Sequence, residues 1–340
     1  MRLATVPLIG DPSHVCDLVA AGIADEYLRR DPETRIECHV SGGRGAIFVT
    51  GETLTQADFD VSLLVQRLLG QCGVYDQMEP FIALEPVSSE QIGLFRQACR
   101  EPALVFGYAT RETDEFMPAP LYWSQKIVQA LEGRRKHDPD WFWLGASGQV
   151  SVLGQGKRID EVIVEVDHGT HPLDLVRAAI AQEIEEQDLH ARLQINVLGE
   201  SQRGGIESNI GSKKSHLLAY GENLPPIVNP AGRDWHGVEV YGVWLARYIA
   251  LEVLKSTQAQ AVMTELFFLP GDVLPSRITA RDERGQDLSE HIKLTKDVMT
   301  ELLADWRLPG VMVDVARGGA VGSHALPWEK SSLSTLPFGA

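Results

Sequence analysis

Apolar residues recur every four positions at Val15, Val19, Ile23 and Tyr27, with Leu18 and Leu28 widening the stripe, so the chain predicts a helix from just after Pro12 to near Asp31-Pro32. The pattern then changes period. Two β-rich runs over 35–40 and 46–50 flank Ser41-Gly42-Gly43-Arg44-Gly45, and the glycines of that connection predict a hairpin. A second amphipathic helix is predicted from about 57 to 69 on Phe59, Leu63, Leu64 and Leu68.

The same succession returns twice. Strands over 149–153 and 159–166 precede a helix opened by Pro172, with Leu173, Val176, Ile180 and Ile184 on one face. In the last third, a helix bearing Tyr241, Trp244, Leu245, Tyr248, Ile249 and Val253 leads to a strand over 261–269. A turn at Pro270-Gly271 and a strand near 276–280 follow, then a helix with Ile292, Thr295, Val298 and Leu302. Strand pairs followed by a helix, three times, predict an α+β fold of three related subdomains packed on a shared core. The subdomains are expected over 1–88, 89–204 and 205–340. Gly-, Asn- and Ser-rich loops over 199–215 and 220–234 are long enough to expect function in them.

Composition narrows the partners. The 340 residues are 44% hydrophobic and 23% charged, ordinary for a globular protein with a substantial core. With 31 basic against 47 acidic residues, the net charge of −16 argues against a nucleic-acid surface or an anionic membrane as partner. The N-terminus lacks the build of a signal peptide, and no apolar run approaches the roughly 20 residues needed to cross a bilayer, so a cytosolic (cytoplasmic) location is expected. Cys16, Cys38, Cys72 and Cys99 form no CxxC pair and are expected to be buried thiols.

Common motifs fail. Gly211-Ser212-Lys213-Lys214-Ser215 has the flavour of a phosphate loop without its spacing, and neither G-x-G-x-x-G nor G-x-S-x-G is present. Asp167-His168-Gly169-Thr170-His171 lies where a strand hands over to a helix, and reads better as a turn and cap than as a metal pair.

One long segment is specific. The run Phe106-Gly107-Tyr108-Ala109-Thr110-Arg111-Glu112-Thr113-Asp114-Glu115-Phe116-Met117-Pro118-Ala119-Pro120 resembles the FGYATNET..MPAP segment of the S-adenosylmethionine synthetase (methionine adenosyltransferase) family. Residues 10–17 are similar to its GHPDKICD, 51–55 to GEITT, 208–221 to GDCGLTGRKIIVDTYGG, Ala246-Arg247-Tyr248 to its ARY helix, and Pro327-Trp328-Glu329-Lys330 to a segment near its end. The resemblance implies that family's fold of three subdomains in pseudo-threefold arrangement, and a homodimer or tetramer with active sites between subunits. It implies transfer of the 5′-adenosyl group of ATP to methionine with expulsion of triphosphate, assisted by magnesium (Mg2+) and potassium (K+).

Several positions depart from the family. Where it has His-Pro-Asp-Lys, this chain has Asp11-Pro12-Ser13-His14, and where it has GAGDQG the chain has Ala98-Cys99-Arg100-Glu101-Pro102-Ala103. His39 stands where a Glu would hold potassium, and Asn209 where an Asp would contact the nucleoside. Retained by type are Lys213, Lys214 and Arg233 at phosphate positions, Glu239 at a metal position, Glu52 at the methionine site, and Glu101 as a lengthened acid. The resemblance thus implies Asp11 and His14 near the breaking bond. Two readings follow: an adenosyltransferase-type enzyme with an altered site, whose acceptor is methionine or another small molecule, or a catalytically inactive paralogue serving as a binding or regulatory subunit.

Overall fold

The computed structural model describes residues 1–12, 14–74, 78–199, the backbone of 209–211, 220–221, 224, 230–292 and 294–330. In chain order the strands and helices are β1 (Arg2–Pro7), α1 (Val15–Arg30), β2 (Arg35–Gly43), β3 (Ala46–Leu54), α2 (Val61–Gln71), β4 (Glu79–Pro86), α3 (Ile92–Phe95), β5 (Ala103–Thr110) and α4 (Ala119–His137). There follow β6 (Gly148–Gln155), β7 (Arg158–Val166), α5 (Leu173–Glu185), β8 (Arg192–Ile195), β9 (Asn209–Gly211), α6 (Val238–Ser256), β10 (Ala261–Phe268), β11 (Arg277–Asp282), α7 (Lys296–Asp305), α8 (Val311–Gly318) and α9 (Pro327–Lys330).

These strands make three sheets, ordered β1-β6-β7-β8, β4-β3-β2-β9 and β11-β10-β5. Each combines strands far apart in sequence. β1 lies antiparallel to β6, β9 closes on the end of β2, and β5 pairs antiparallel with β10.

Each sheet turns one face to a helix. Successive side chains of a strand point to opposite faces, so alternate positions form the core. In the first sheet Ala4, Val6, Val150, Val152, Val162 and Val164 are buried and α4 packs on β1 and β6. Ile36, Cys38, Ile47 and Val49 face α1, while Val105, Ala109, Val262, Leu266 and Phe268 face α6. Fully burying each large apolar side chain is worth about 1.5–3 kcal/mol, so these three layers dominate stability. Helices α1 and α6 are buried on almost every side, including Asp17, Asp25 and Arg247. The opposite sheet faces stay open: Phe48 and Phe81 stack there at 5.0 Å, and Leu104 lies across from Phe267.

The predicted hairpin is tighter than its glycines suggested. Ser41, Gly42 and Gly43 pair with Phe48, Ile47 and Ala46, leaving Arg44-Gly45 as a two-residue turn with φ of 51° and 84°. Positive φ at both central positions matches the right-handed twist of the flanking strands. The helix predicted from 57 begins at Val61, because the Asp60 carboxylate accepts the Leu63 N–H at 3.1 Å and caps it there. Thr295 likewise caps α7 rather than lying within it. Strands β1, β4, β5, β8 and β9 and helices α3, α4, α8 and α9 have no counterpart among the predicted elements.

The segments of closest family resemblance meet at one buried guanidinium. Arg247, fully buried, donates from Nη1 to the carbonyls of Tyr108 (2.7 Å) and Phe116 (3.0 Å), and from Nη2 to that of Glu115 (3.0 Å). Its Nε and Nη2 also bind the Glu329 carboxylate at 2.8 and 3.0 Å. Beside it Trp328 stacks on Trp244 at 4.4 Å and donates to the Ala320 carbonyl at 2.7 Å. The FGYAT, ARY and PWEK segments are therefore tied together as framework.

Candidate functional site

The backbone around Arg233 is locked to β2 before any side chain acts. Cys38 N–H donates to the Gly232 carbonyl at 2.8 Å, and Glu37 bridges to Arg233 in antiparallel fashion. Gly232 has φ +79°, and a Cβ there would stand 2.1 Å from the Cys38 carbonyl oxygen, so a side chain cannot be accommodated. The buried Asp234 carboxylate accepts the Ile36 N–H at 2.8 Å and the His236 N–H at 2.9 Å. Burial pushes its carboxyl upward, opposed by those two hydrogen bonds and by Arg35 and Arg100.

Arg233 then projects into a cluster of mixed charge. Its Nη2 donates to Glu37 Oε1 at 2.6 Å, and its Nη1 lies 3.6 Å from Glu239 Oε1 in the first turn of α6. Arg100 Nη2 donates to the other oxygen of Glu37 at 3.0 Å, with its guanidinium 4.8 Å from the Phe95 ring centroid. His39 follows on the same face of β2, its Nε2 3.9 Å from Glu37, and is 71% exposed. Glu52 sits directly across the ladder from Glu37 and is exposed. Of the sequence-predicted residues, this cluster unites Arg233 and Glu239, with Glu52 and His39 at its edge.

Asp11 and His14 lie elsewhere, at the start of α1. Both are buried, and the Asp11 carbonyl accepts the N–H groups of His14 (2.8 Å) and Val15 (3.0 Å). Burial lowers the His14 imidazole to about 4. It is therefore neutral at pH 7. Glu101 is exposed, its carbonyl accepting from the Cys99 thiol at 3.0 Å. Ser13, the Asn209 side chain, Lys213 and Lys214 lie outside the described residues.

Sequence reasoning gave no role to Glu37 or Arg100. A signal existed: once the hairpin register is fixed, Glu37 and Glu52 oppose one another, and two like charges so placed call for a nearby cation. The turn reading of 167–171 agrees with the contacts found, since Asp167 Oδ1 accepts the Gly169 N–H at 3.0 Å and His168 Nδ1 lies 2.9 Å from the His171 carbonyl. The four cysteines are buried, and burial pushes the thiols of Cys16, Cys38 and Cys72 up to about 12, far from a reactive thiolate. No helix among the described residues is long and apolar enough to cross a membrane.

Against known proteins, residues 6–89 match the S-adenosylmethionine synthetase N-terminal domain and 96–203 the central domain, together more than half of the chain. The chain is 26% identical to an S-adenosylmethionine synthase of Sorangium cellulosum, covering 95% of this chain and 85% of that protein. It is also 26% identical to one of Chlorobium phaeobacteroides, over 79% and 77% respectively. Its fold is similar to that of an unusual S-adenosylmethionine synthetase from Campylobacter jejuni, with a TM-score of 0.77, 19% identity and 97% of both chains covered.

Proposed function

The chain belongs to the S-adenosylmethionine synthetase family, and from that premise we propose that it is a synthetase-like adenosyltransferase with an altered site, acting as a homodimer in the cytoplasm. It takes ATP or a related adenosyl nucleotide and a small acceptor, methionine or another nucleophile. The observation that carries this reading is the pairing of Arg233 with Glu239 at the start of α6, a cation for phosphate beside an acid for its counter-ion. Lys213, Lys214 and Arg233 hold the phosphate tail, Asn209 meets the nucleoside, and Glu52 meets the acceptor. Asp11 and His14, at the start of α1, complete the site when a second copy brings its own set across the interface. The open sheet faces bearing Phe48, Phe81, Leu104 and Phe267 are suited to that second copy.

The donor set fits magnesium only as an ion shared with the nucleotide. Glu239 supplies one carboxylate, with Glu101 as a second candidate, and phosphate oxygens and water would supply the remaining ligands, as magnesium usually demands. When bound, the ion would neutralise charge on the departing polyphosphate. The residues do not fit potassium, because His39 presents a ring nitrogen, exposed, in place of a carboxylate oxygen. Asp11, an acid near the reacting carbon, suits a cationic acceptor or sulfonium product better than a polyphosphate.

Incubation with ATP, magnesium and a panel of thioether, thiol and amine acceptors is expected to release triphosphate or phosphate together with an adenosylated product. Absence of all three with every acceptor overturns the reading. One observation favours the inactive paralogue instead: Arg247 and Glu329 give the FGYAT and PWEK segments a framework role that needs no catalysis. Stable mixed oligomers with an active synthetase, without turnover by the purified chain, are that reading's signature.

A further inference from the structure

We propose that Arg100 and Arg233 form a two-guanidinium subsite for the phosphate groups of the ligand, and that Glu37 is its internal competitor. The inference rests on the nucleotide reading above. The two oxygens of Glu37 are divided between the two arginines, Oε1 to Arg233 at 2.6 Å and Oε2 to Arg100 at 3.0 Å. A phosphate group presents two oxygens to two guanidinium forks in the same manner, so the carboxylate holds the place a phosphate would take. The three side chains are 24–30% exposed, so a ligand can reach them. Arg100 is fixed from behind by the Phe95 ring, and it stands where the family segment resembled here has glycine. Arg100 therefore belongs to this chain's own departures, set beside Arg233, which keeps the family's cation by type.

The surroundings favour an anion. Arg35 Nε and Nη1 and Arg307 Nε are buried without a hydrogen-bond partner among the described residues. Arg35 interacts electrostatically with Asp234, Arg307 and Arg96, and Asp234 in turn with Arg100. A chain of net charge −16 thus sets five arginines, Arg35, Arg96, Arg100, Arg233 and Arg307, against four acids, Glu33, Glu37, Glu239 and Asp234. A polyphosphate carries more charge than one carboxylate and can displace Glu37, whose own negative charge opposes the incoming ligand until it moves.

Calorimetric titration with inorganic triphosphate, and separately with ATP and magnesium, tests this on the full chain. Glu37→Gln is expected to tighten triphosphate binding about tenfold, Arg100→Ala to weaken it about tenfold, and the double variant to lose the gain, since each lost or freed charged hydrogen bond is worth about one such factor. Thermal melts identify any variant that has failed to fold. Unchanged or weaker binding by Glu37→Gln, or a gain that survives without Arg100, overturns the proposal. If Arg233→Ala abolishes nucleotide binding while Glu37→Gln and Arg100→Ala leave it unmoved, the subsite fails and the nucleotide reading stands. If Glu37→Gln tightens triphosphate while ATP is neither bound nor consumed, the subsite stands and the adenosyl-transfer reading fails.

Discussion

At the scale of single residues, buried charge is used for architecture as much as for chemistry. Arg247 spends its guanidinium on three carbonyls and Glu329, so Glu329→Ala should cost about 3–5 kcal/mol by stranding an unpaired buried cation. Urea denaturation measures this, and an Arg247→Met, Glu329→Ala double variant should lose less than the two single losses combined. Proton linkage gives a second prediction. His14 and His236 are both lowered to about 4 by burial, so as pH falls from about 6.5 the unfolded chain takes up two protons that the native chain refuses, and stability falls. Asp25 acts in the opposite sense. Burial raises it to about 6, despite N–H bonds from Gly310, Met312 and Val313, so between pH 6 and 4 the native chain gains a proton that the unfolded one does not. For these three groups together the balance between pH 6 and 4 is a loss on the order of 1 kcal/mol per pH unit, read as falling urea midpoints. His236→Gln should flatten that slope and Asp25→Asn should steepen it. At this scale the sequence disclosed Arg233 and Glu239 through resemblance, but their partners Glu37 and Arg100 became visible only when a loop was pinned beside β2.

At the scale of elements, legibility followed burial. Helices α2 and α5 bury one face, and strands β2, β3, β6, β7 and β10 pair or alternate cleanly, so periodicity found them. Helix α4 opens with Ala119-Pro120, buries Ser124 and Gln125 beside Ile127 and Leu131, and ends in Arg134-Arg135-Lys136-His137, so no clean apolar stripe marks it. Strand β4 joins β3 in parallel at the sheet edge; its exposure alternates, but the outward Phe81 and Ala83 are as apolar as the inward Ile82 and Leu84, so its sequence shows no alternation. Strand β5 was hidden inside a motif read for its family likeness. It is also where a helix lies against a strand too closely for a side chain: a Cβ on Gly107 would lie 2.1 Å from the Ala246 carbonyl oxygen and 2.6 Å from the Arg247 nitrogen. Gly107→Ala must push α6 off β5, which should cost 1–3 kcal/mol or more, as overpacking does, and lower the calorimetric Tm.

At the scale of the whole molecule, pairing between distant strands makes the three sheets depend on one another. A fragment of residues 89–204 would carry β5 without β10 and β6 without β1, so it should show no cooperative thermal transition by circular dichroism, whereas the full chain should unfold in a single step. A sharp transition in the fragment would contradict that interdependence. The placement of β1 also bears on how the protein is made. Its first strand leaves the ribosome long before Gly148–Gln155 exists to receive it, and waits as an unpaired, partly apolar ribbon while more than a third of the chain is still being synthesised. Nascent molecules are thus exposed to misassociation between the synthesis of β1 and that of β6, and supplying chaperones should raise soluble yield.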